Sequence, residues 1–139
     1  MDIETFVANF EFLGDWDQRY AYITELGTRL PHMDEALKTE PNRVQGCMSK
    51  VWVTGGPHPN DPHRVHLLAE GEGPIVQGLV ALLVMIYQDK TPDEIAAIDI
   101  DEMFVRLGLD EHLSPNRHIG MYAMVRMIQD IAQKVATTG

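Results

Sequence analysis

The chain has 139 residues, 11 of them basic and 21 acidic, for a net charge of −10; that balance argues against binding to a phosphate backbone or an anionic membrane surface and favours steering toward a basic patch on a partner. Hydrophobic residues make up 45%, too many for a disordered chain and enough for one domain, residues 1–139, with a real core. The single cysteine excludes an internal disulfide framework and a self-contained iron–sulfur or cysteine-rich zinc site, and an unpaired thiol suits a reducing cytoplasm.

The start, Met1-Asp2-Ile3-Glu4, is acidic and lacks the basic and apolar regions of a signal peptide. Ile3, Phe6, Val7, Phe10 and Leu13 follow helical spacing, with Gly14 as the expected stop. Asp15 can cap a second helix whose buried face carries Trp16, Tyr20, Ile23 and Leu26 or Gly27, and Pro31 closes it. Residues 32–44 have little periodicity and read as a surface connection. From Met48 to Thr54 the chain reads as strand, and Gly55 to Pro62, with three prolines and two glycines, as an irregular turn. Arg64 to Glu70 alternates as a second strand, so the two should pair as an antiparallel hairpin.

After Gly71-Glu72-Gly73, Pro74 suits the first turn of a helix, and Ile75 to Ile86 is apolar except at Gln77 and Gly78. Twelve residues are too few to span a bilayer, so this is a core helix. Thr91-Pro92-Asp93-Glu94 fits a capping box, and Ile98 to Leu109 holds a further helical turn or two. Ser114-Pro115 opens the last helix, with Met121, Met124, Val125, Ile128, Ile131 or Ala132, and Val135 as its apolar stripe. Helices, a small antiparallel sheet, then helices again read as an α+β fold with helices packed on the sheet.

Chemistry gathers around Cys47. Gly46 permits a backbone conformation closed to other residues, so the thiol can sit at a turn tip. An exposed thiolate is a strong nucleophile, but a lone cysteine is more often a small buried hydrophobe, and the residues alone leave both readings open. If residues 47–53 were one strand, Cys47 would share a face with Val51 and Val53 and be largely buried. Arg117, three residues into the last helix, is either an anion-attracting group or an arginine that bends into water. His58, His63 and His66 are close in sequence, yet His63 and His66 have opposite strand parity, and the expectation is that no metal is bound. His112 and His118 flank the start of the last helix. A thiol-dependent hydrolase or transferase pairing one of them with Cys47 is the alternative reading.

The run Val44-Gln45-Gly46-Cys47-Met48-Ser49-Lys50-Val51-Trp52 closely resembles the signature of the SufE-type cysteine desulfuration family. Four further runs resemble the family in order. Tyr22-Ile23-Thr24-Glu25-Leu26-Gly27 looks like its second helix and Ile75-Val76-Gln77-Gly78-Leu79 like its central helix. Thr91-Pro92 looks like the following turn, and His112-Leu113-Ser114-Pro115-Asn116-Arg117 like the entry into the last helix. Dispersed matches over nearly the whole chain are more specific than one short motif.

The resemblance implies the fold shared by SufE-type and scaffold-type iron–sulfur assembly proteins. It implies a cytoplasmic sulfur acceptor and activator rather than a stand-alone enzyme. A cysteine desulfurase that uses pyridoxal phosphate hands over persulfide sulfur, which Cys47 carries to the iron–sulfur scaffold complex. Gly46 would let the loop move, Gln45 and Ser49 would donate hydrogen bonds near the sulfur, and Arg117 would aid electrostatically. The acceptor itself would bind no cofactor. The chain departs from the family at Glu70-Gly71-Glu72-Gly73-Pro74, where an acidic, serine-containing run is usual, and in its His- and Pro-rich hairpin.

Overall fold

The computed structural model describes residues 2–138. Helices α1 (Ile3–Phe12) and α2 (Trp16–Thr28) come first. Asp2 accepts from the Thr5 amide and Asp15 from the Gln18 amide, both at 2.8 Å, satisfying amides that the first turn of a helix leaves unpaired. α1 ends at Phe12, slightly short of the expected stop at Gly14, because Leu13 already turns extended while its amide bonds back to the Asn9 and Phe10 carbonyls. Phe6, Val7, Phe10, Ile23 and Leu26 are buried, as their spacing predicts.

The connection after α2 holds two short 3-10 turns, Glu35–Leu37 and Glu40–Asn42. Strands β1 (Val51–His58) and β2 (Asp61–Gly71) follow, then α3 (Pro74–Tyr87), α4 (Pro92–Ala97), α5 (Ile100–Leu107), α6 (Leu109–His112) and α7 (Pro115–Thr138). The fold is α+β, as expected: one antiparallel β1–β2 ribbon with helices packed on it. No helix among the described residues is long and apolar enough to cross a membrane.

The hairpin departs from its predicted bounds at both ends. Strand β1 begins at Val51, not Met48, because the Val44 amide bonds the Val51 carbonyl at 2.8 Å and closes residues 45–50 into a loop. At the other end, the stretch Gly55 to Pro62 is not an irregular turn. Gly55, Gly56 and Pro57 pair with Leu67, His66 and Val65, the register shifts between Pro57 and His58, and the strands reverse over Pro59-Asn60 alone. Proline is barred only where its missing amide must join a ladder, and each strand of a two-stranded ribbon has an open edge.

One face of the ribbon, Val51, Val53, Val65, Leu67 and Ala69, is buried beneath α3 and α7. The α7 stripe packs as predicted, with Met121, Met124, Val125, Ile128, Ala132 and Val135 all buried. The capping box of α4 forms on both sides: the Thr91 amide donates to Glu94 Oε1 at 2.9 Å, and the Glu94 amide donates to Thr91 Oγ1 at 3.2 Å.

α3 is buried almost all round, and α2 crosses it at two glycines. A Cβ on Gly78 would overlap the Ile23 carbonyl oxygen, and one on Gly27 would stand 2.7 Å from the Gly78 nitrogen. On helix propensity alone, Gly78→Ala should gain about 1 kcal/mol. The overlap is with backbone, which cannot swing aside, so steric cost wins. We expect Gly78→Ala to lose about 3 kcal/mol of stability, read from the urea midpoint; a stabilised variant would show that the crossing is not tight.

The connection that leads to Cys47 is pinned to β2 by one carboxylate. Glu70 accepts from Lys38 Nζ at 2.5 Å and from the Met33 amide at 3.0 Å, and Lys38 also meets Glu35 at 2.7 Å. The Lys38 hydrogen bond holds the Glu70 carboxyl below the usual glutamate range, against the opposing effect of burial. A carboxyl depressed in the folded state contributes stability above its unfolded pKa and loses it as pH falls through the folded one. Glu70→Gln should therefore unfold at a lower urea midpoint than the parent at neutral pH, and the two should converge as pH falls through the carboxylate range. A gap that did not close on acidification would mean the charge is not what matters.

Candidate functional site

Cys47 lies on the six-residue loop closed by the Val44–Val51 hydrogen bond. The Glu72 amide donates to the Lys50 carbonyl at 2.9 Å, fastening the end of this loop to the far end of β2. Gly46, with φ of 88°, turns the chain in the left-handed region that side chains disfavour. The thiol is thus presented by a turn, as expected, but not by strand parity.

Cys47 is half-buried rather than largely buried. Parity does not reach it because residues 45–50 are loop. Its cover comes instead from α7: a Cβ added to Gly120 would stand 2.8 Å from the Cys47 sulfur and 3.5 Å from its Cβ. The thiol therefore occupies the space that a side chain at 120 would take. Beside it lies a cavity of about 60 Å³, walled by apolar side chains of α3 and α7 such as Val76, Leu79, Val80 and Met124. A pocket of roughly 10–15 Å³ is enough for one water-sized atom, so there is room beside the thiol for another.

Ser49, Asn116 and Arg117 border the same cavity. Arg117 is exposed, its backbone amide donates to Ser114 Oγ at 3.3 Å, and among the described residues its guanidinium has no ion-pair partner. That leaves a free cation next to a helix N-terminus at the rim of the thiol's pocket. Gln45 is exposed on the loop and is not among the residues lining the cavity. Two large apolar side chains adjoining the site in sequence are exposed: Met48, next to Cys47, is 77% exposed and Ile119, next to Gly120, is 54% exposed.

The histidines are engaged elsewhere. His112 stacks on Trp16 with ring centroids 3.8 Å apart, and its Nδ1 lies 2.9 Å from the Gly108 carbonyl. His118 Nε2 lies 3.0 Å from the Asp110 carbonyl. Neither lines the cavity that Cys47 borders, so the thiol–imidazole pair of a hydrolase is not assembled among the described residues. His63 is exposed on β2, whereas His58 and His66 meet each other and Asp89.

Sequence reasoning missed Gly120 and Asn116 as site residues. A signal for Gly120 was available, since a glycine inside a helix costs about 1 kcal/mol against alanine and asks for a local reason.

The family model described as "SufE: Fe-S metabolism associated domain" matches residues 4–132. An uncharacterized SufE-like protein of Rhizobium meliloti is 39% identical over 132 residues, covering 94% of each chain. A second, from Rhizobium etli, is 40% identical over 136 residues, covering 94% of this chain and 89% of the relative. The solution structure of a hypothetical protein from Thermus thermophilus superposes with a TM-score of 0.77 at 20% identity, covering 96% of this chain and 95% of the other. The Thermus structure supports the fold alone. With a family match over nearly its whole length and relatives near 40% identity, the chain belongs to the SufE family of proteins associated with iron–sulfur metabolism.

Proposed function

We propose that this protein is a sulfur acceptor and activator for a cysteine desulfurase, carrying sulfur as a persulfide on Cys47 to an iron–sulfur assembly scaffold. The observation that carries this reading is the seat of the thiol, a glycine-turned tip laid against α7 at the edge of an apolar cavity. In the transfer, the Cys47 thiolate attacks the terminal sulfur of the donor persulfide. A sulfur–sulfur bond forms at Cys47 while the donor's sulfur–sulfur bond breaks, and the donor cysteine leaves as a thiolate. One sulfane sulfur changes carrier, with no net oxidation or reduction.

Each part of the seat has a use in that step. The cavity has room for the extra sulfur and surrounds it with apolar side chains. The Arg117 cation at its rim stabilises the anionic forms of the thiol and the persulfide. Gly46 lets the tip swing outward toward a partner. Exposed Met48 and Ile119 gain burial when a partner covers the site, which supplies differential affinity for the open loop. The pyridoxal phosphate belongs to the desulfurase, and the setting is the cytoplasm.

The test is incubation with a cysteine desulfurase and radiolabelled cysteine. Label should appear on Cys47, be released by a reductant, and be accompanied by faster desulfurase turnover. Label that stays on the desulfurase, or joins this chain in a form that reductant does not release, would overturn the reading.

A further inference from the structure

We propose that His58, His66 and Asp89 form a binding site for a borderline divalent transition-metal ion, with zinc as the reference ion. The three come from different elements: His58 from the end of β1, His66 from the middle of β2, and Asp89 from the turn after α3. Asp89 Oδ1 lies 3.6 Å from His58 Nε2 and 3.3 Å from His66 Nδ1, and the three ligand atoms all fall within 4.8 Å of one another. A tetrahedral zinc ion with bonds of about 2.0–2.2 Å needs its ligand atoms roughly 3.3–3.6 Å apart. The two histidine–carboxylate separations match that edge. The imidazoles stand edge to face, with centroids 5.3 Å apart, and their ligand nitrogens, within 4.8 Å of each other, draw together to that edge when an ion binds.

The backbone holds this cluster in place. Gly56, directly opposite His66, has no side chain, and His58 lies next along the same strand face. Asp89 has φ of 59°, a left-handed conformation that aspartate tolerates better than most residues. Its amide donates to the Val65 carbonyl at 3.0 Å, the Val65 amide donates to the Lys90 carbonyl at 2.8 Å, and Arg64 donates to the Asp89 carbonyl at 3.0 Å. The Arg64 charge is met by Asp61 and Glu94, each at 3.2 Å, so it does not leave the site cationic. The carboxylate is thus set beside the imidazoles before any ion arrives, the arrangement a metal site needs.

The donor set selects the ion. Two imidazoles and one carboxylate suit zinc or its first-row neighbours; magnesium and calcium prefer oxygen throughout, and copper(I) prefers sulfur. Three protein ligands leave a fourth position for water. Both rings must change tautomer: Asp89 Oδ1 accepts from His66 Nδ1 at 3.3 Å, so coordination through Nδ1 moves that proton to Nε2. His58 Nδ1 accepts from the Asn60 amide at 3.0 Å, which puts the proton of a neutral ring on Nε2. Coordination through Nε2 moves that proton to Nδ1 and releases the Asn60 amide, which is on the exposed hairpin turn where water can replace the bond. The bound ion would tie the hairpin tip to the turn after α3. That is the other end of α3 from the Cys47 cavity, which is lined by its residues from Val76 to Leu83.

The experiment is a competition titration of Zn²⁺ against a chromogenic chelator in the Cys47→Ser protein, so that the thiol adds no affinity. One ion per chain is expected, with a rise in the thermal midpoint on addition of Zn²⁺. His66→Gln and Asp89→Asn should each weaken binding by at least about tenfold, while His63→Ala should leave it unchanged. Asn at 89 keeps the left-handed backbone accessible, and circular dichroism checks that both variants fold. No saturable binding, binding that survives His66→Gln and Asp89→Asn together, or binding that falls equally with His63→Ala would each overturn the site.

Discussion

Cys47→Ser is expected to reduce reductant-releasable sulfur on the protein to background and to remove its stimulation of a cysteine desulfurase. The chain has no other thiol, so no second residue can take over. A serine oxygen cannot hold a sulfane sulfur in an exchangeable bond. The fold should persist. The side chain is half-buried on a loop, and the loop is closed by backbone hydrogen bonds that the change does not touch. A loss of about 1 kcal/mol is the scale for placing a hydroxyl at an apolar cavity with its solvent side open. Circular dichroism and the urea midpoint separate lost chemistry from lost structure. A folded Cys47→Ser protein that still takes up labelled sulfur would end the persulfide reading.

The parts of this molecule legible in its sequence are the local ones. The buried stripe of α7, the largely apolar α3 and the Thr91–Glu94 capping box each depend on residues a few positions apart, and all three stand where the local sequence puts them. The hairpin was harder because Pro57 and Pro62 weigh against strand only when both strand edges must be paired, and the number of strands is a tertiary fact. Cys47 was recognisable from its neighbours in sequence, but its burial was not. Strand parity assumed a strand that extends back to residue 47, while the cover over the sulfur comes from Gly120, more than seventy positions away. The same holds for the histidines. His58, His63 and His66 look like one cluster in sequence, yet the two that meet are completed by Asp89, which only the docking of α3 on β2 brings near.

That dependence on position 120 leads to the sharpest test of the loop. Gly120 is buried in the second turn of α7, where alanine would favour the helix by about 1 kcal/mol. Its Cβ, however, would stand 2.8 Å from the Cys47 sulfur, well inside contact distance. One of the two must move. α7 packs along both strands and α3 and cannot shift cheaply, whereas the sulfur sits on a six-residue loop with a glycine turn beside it. Gly120→Ala should therefore leave the helix in place and push the thiol outward. Overpacking of this kind is worth about 1–3 kcal/mol, which corresponds to a shift of about 5- to 150-fold between seated and released loops. The reaction of Cys47 with a thiol reagent should accelerate within that range, while the thermal midpoint stays level or falls, because the helix gain of about 1 kcal/mol offsets only part of the overpacking cost. The parent should react faster when a desulfurase is added, because docking favours the released loop, and Gly120→Ala should show little further gain. A persulfide formed on the variant should also be lost sooner to added small thiols, since it no longer sits over the cavity. An unchanged labelling rate in a folded Gly120→Ala protein would mean that the loop is already open in solution and that α7 does not guard the sulfur.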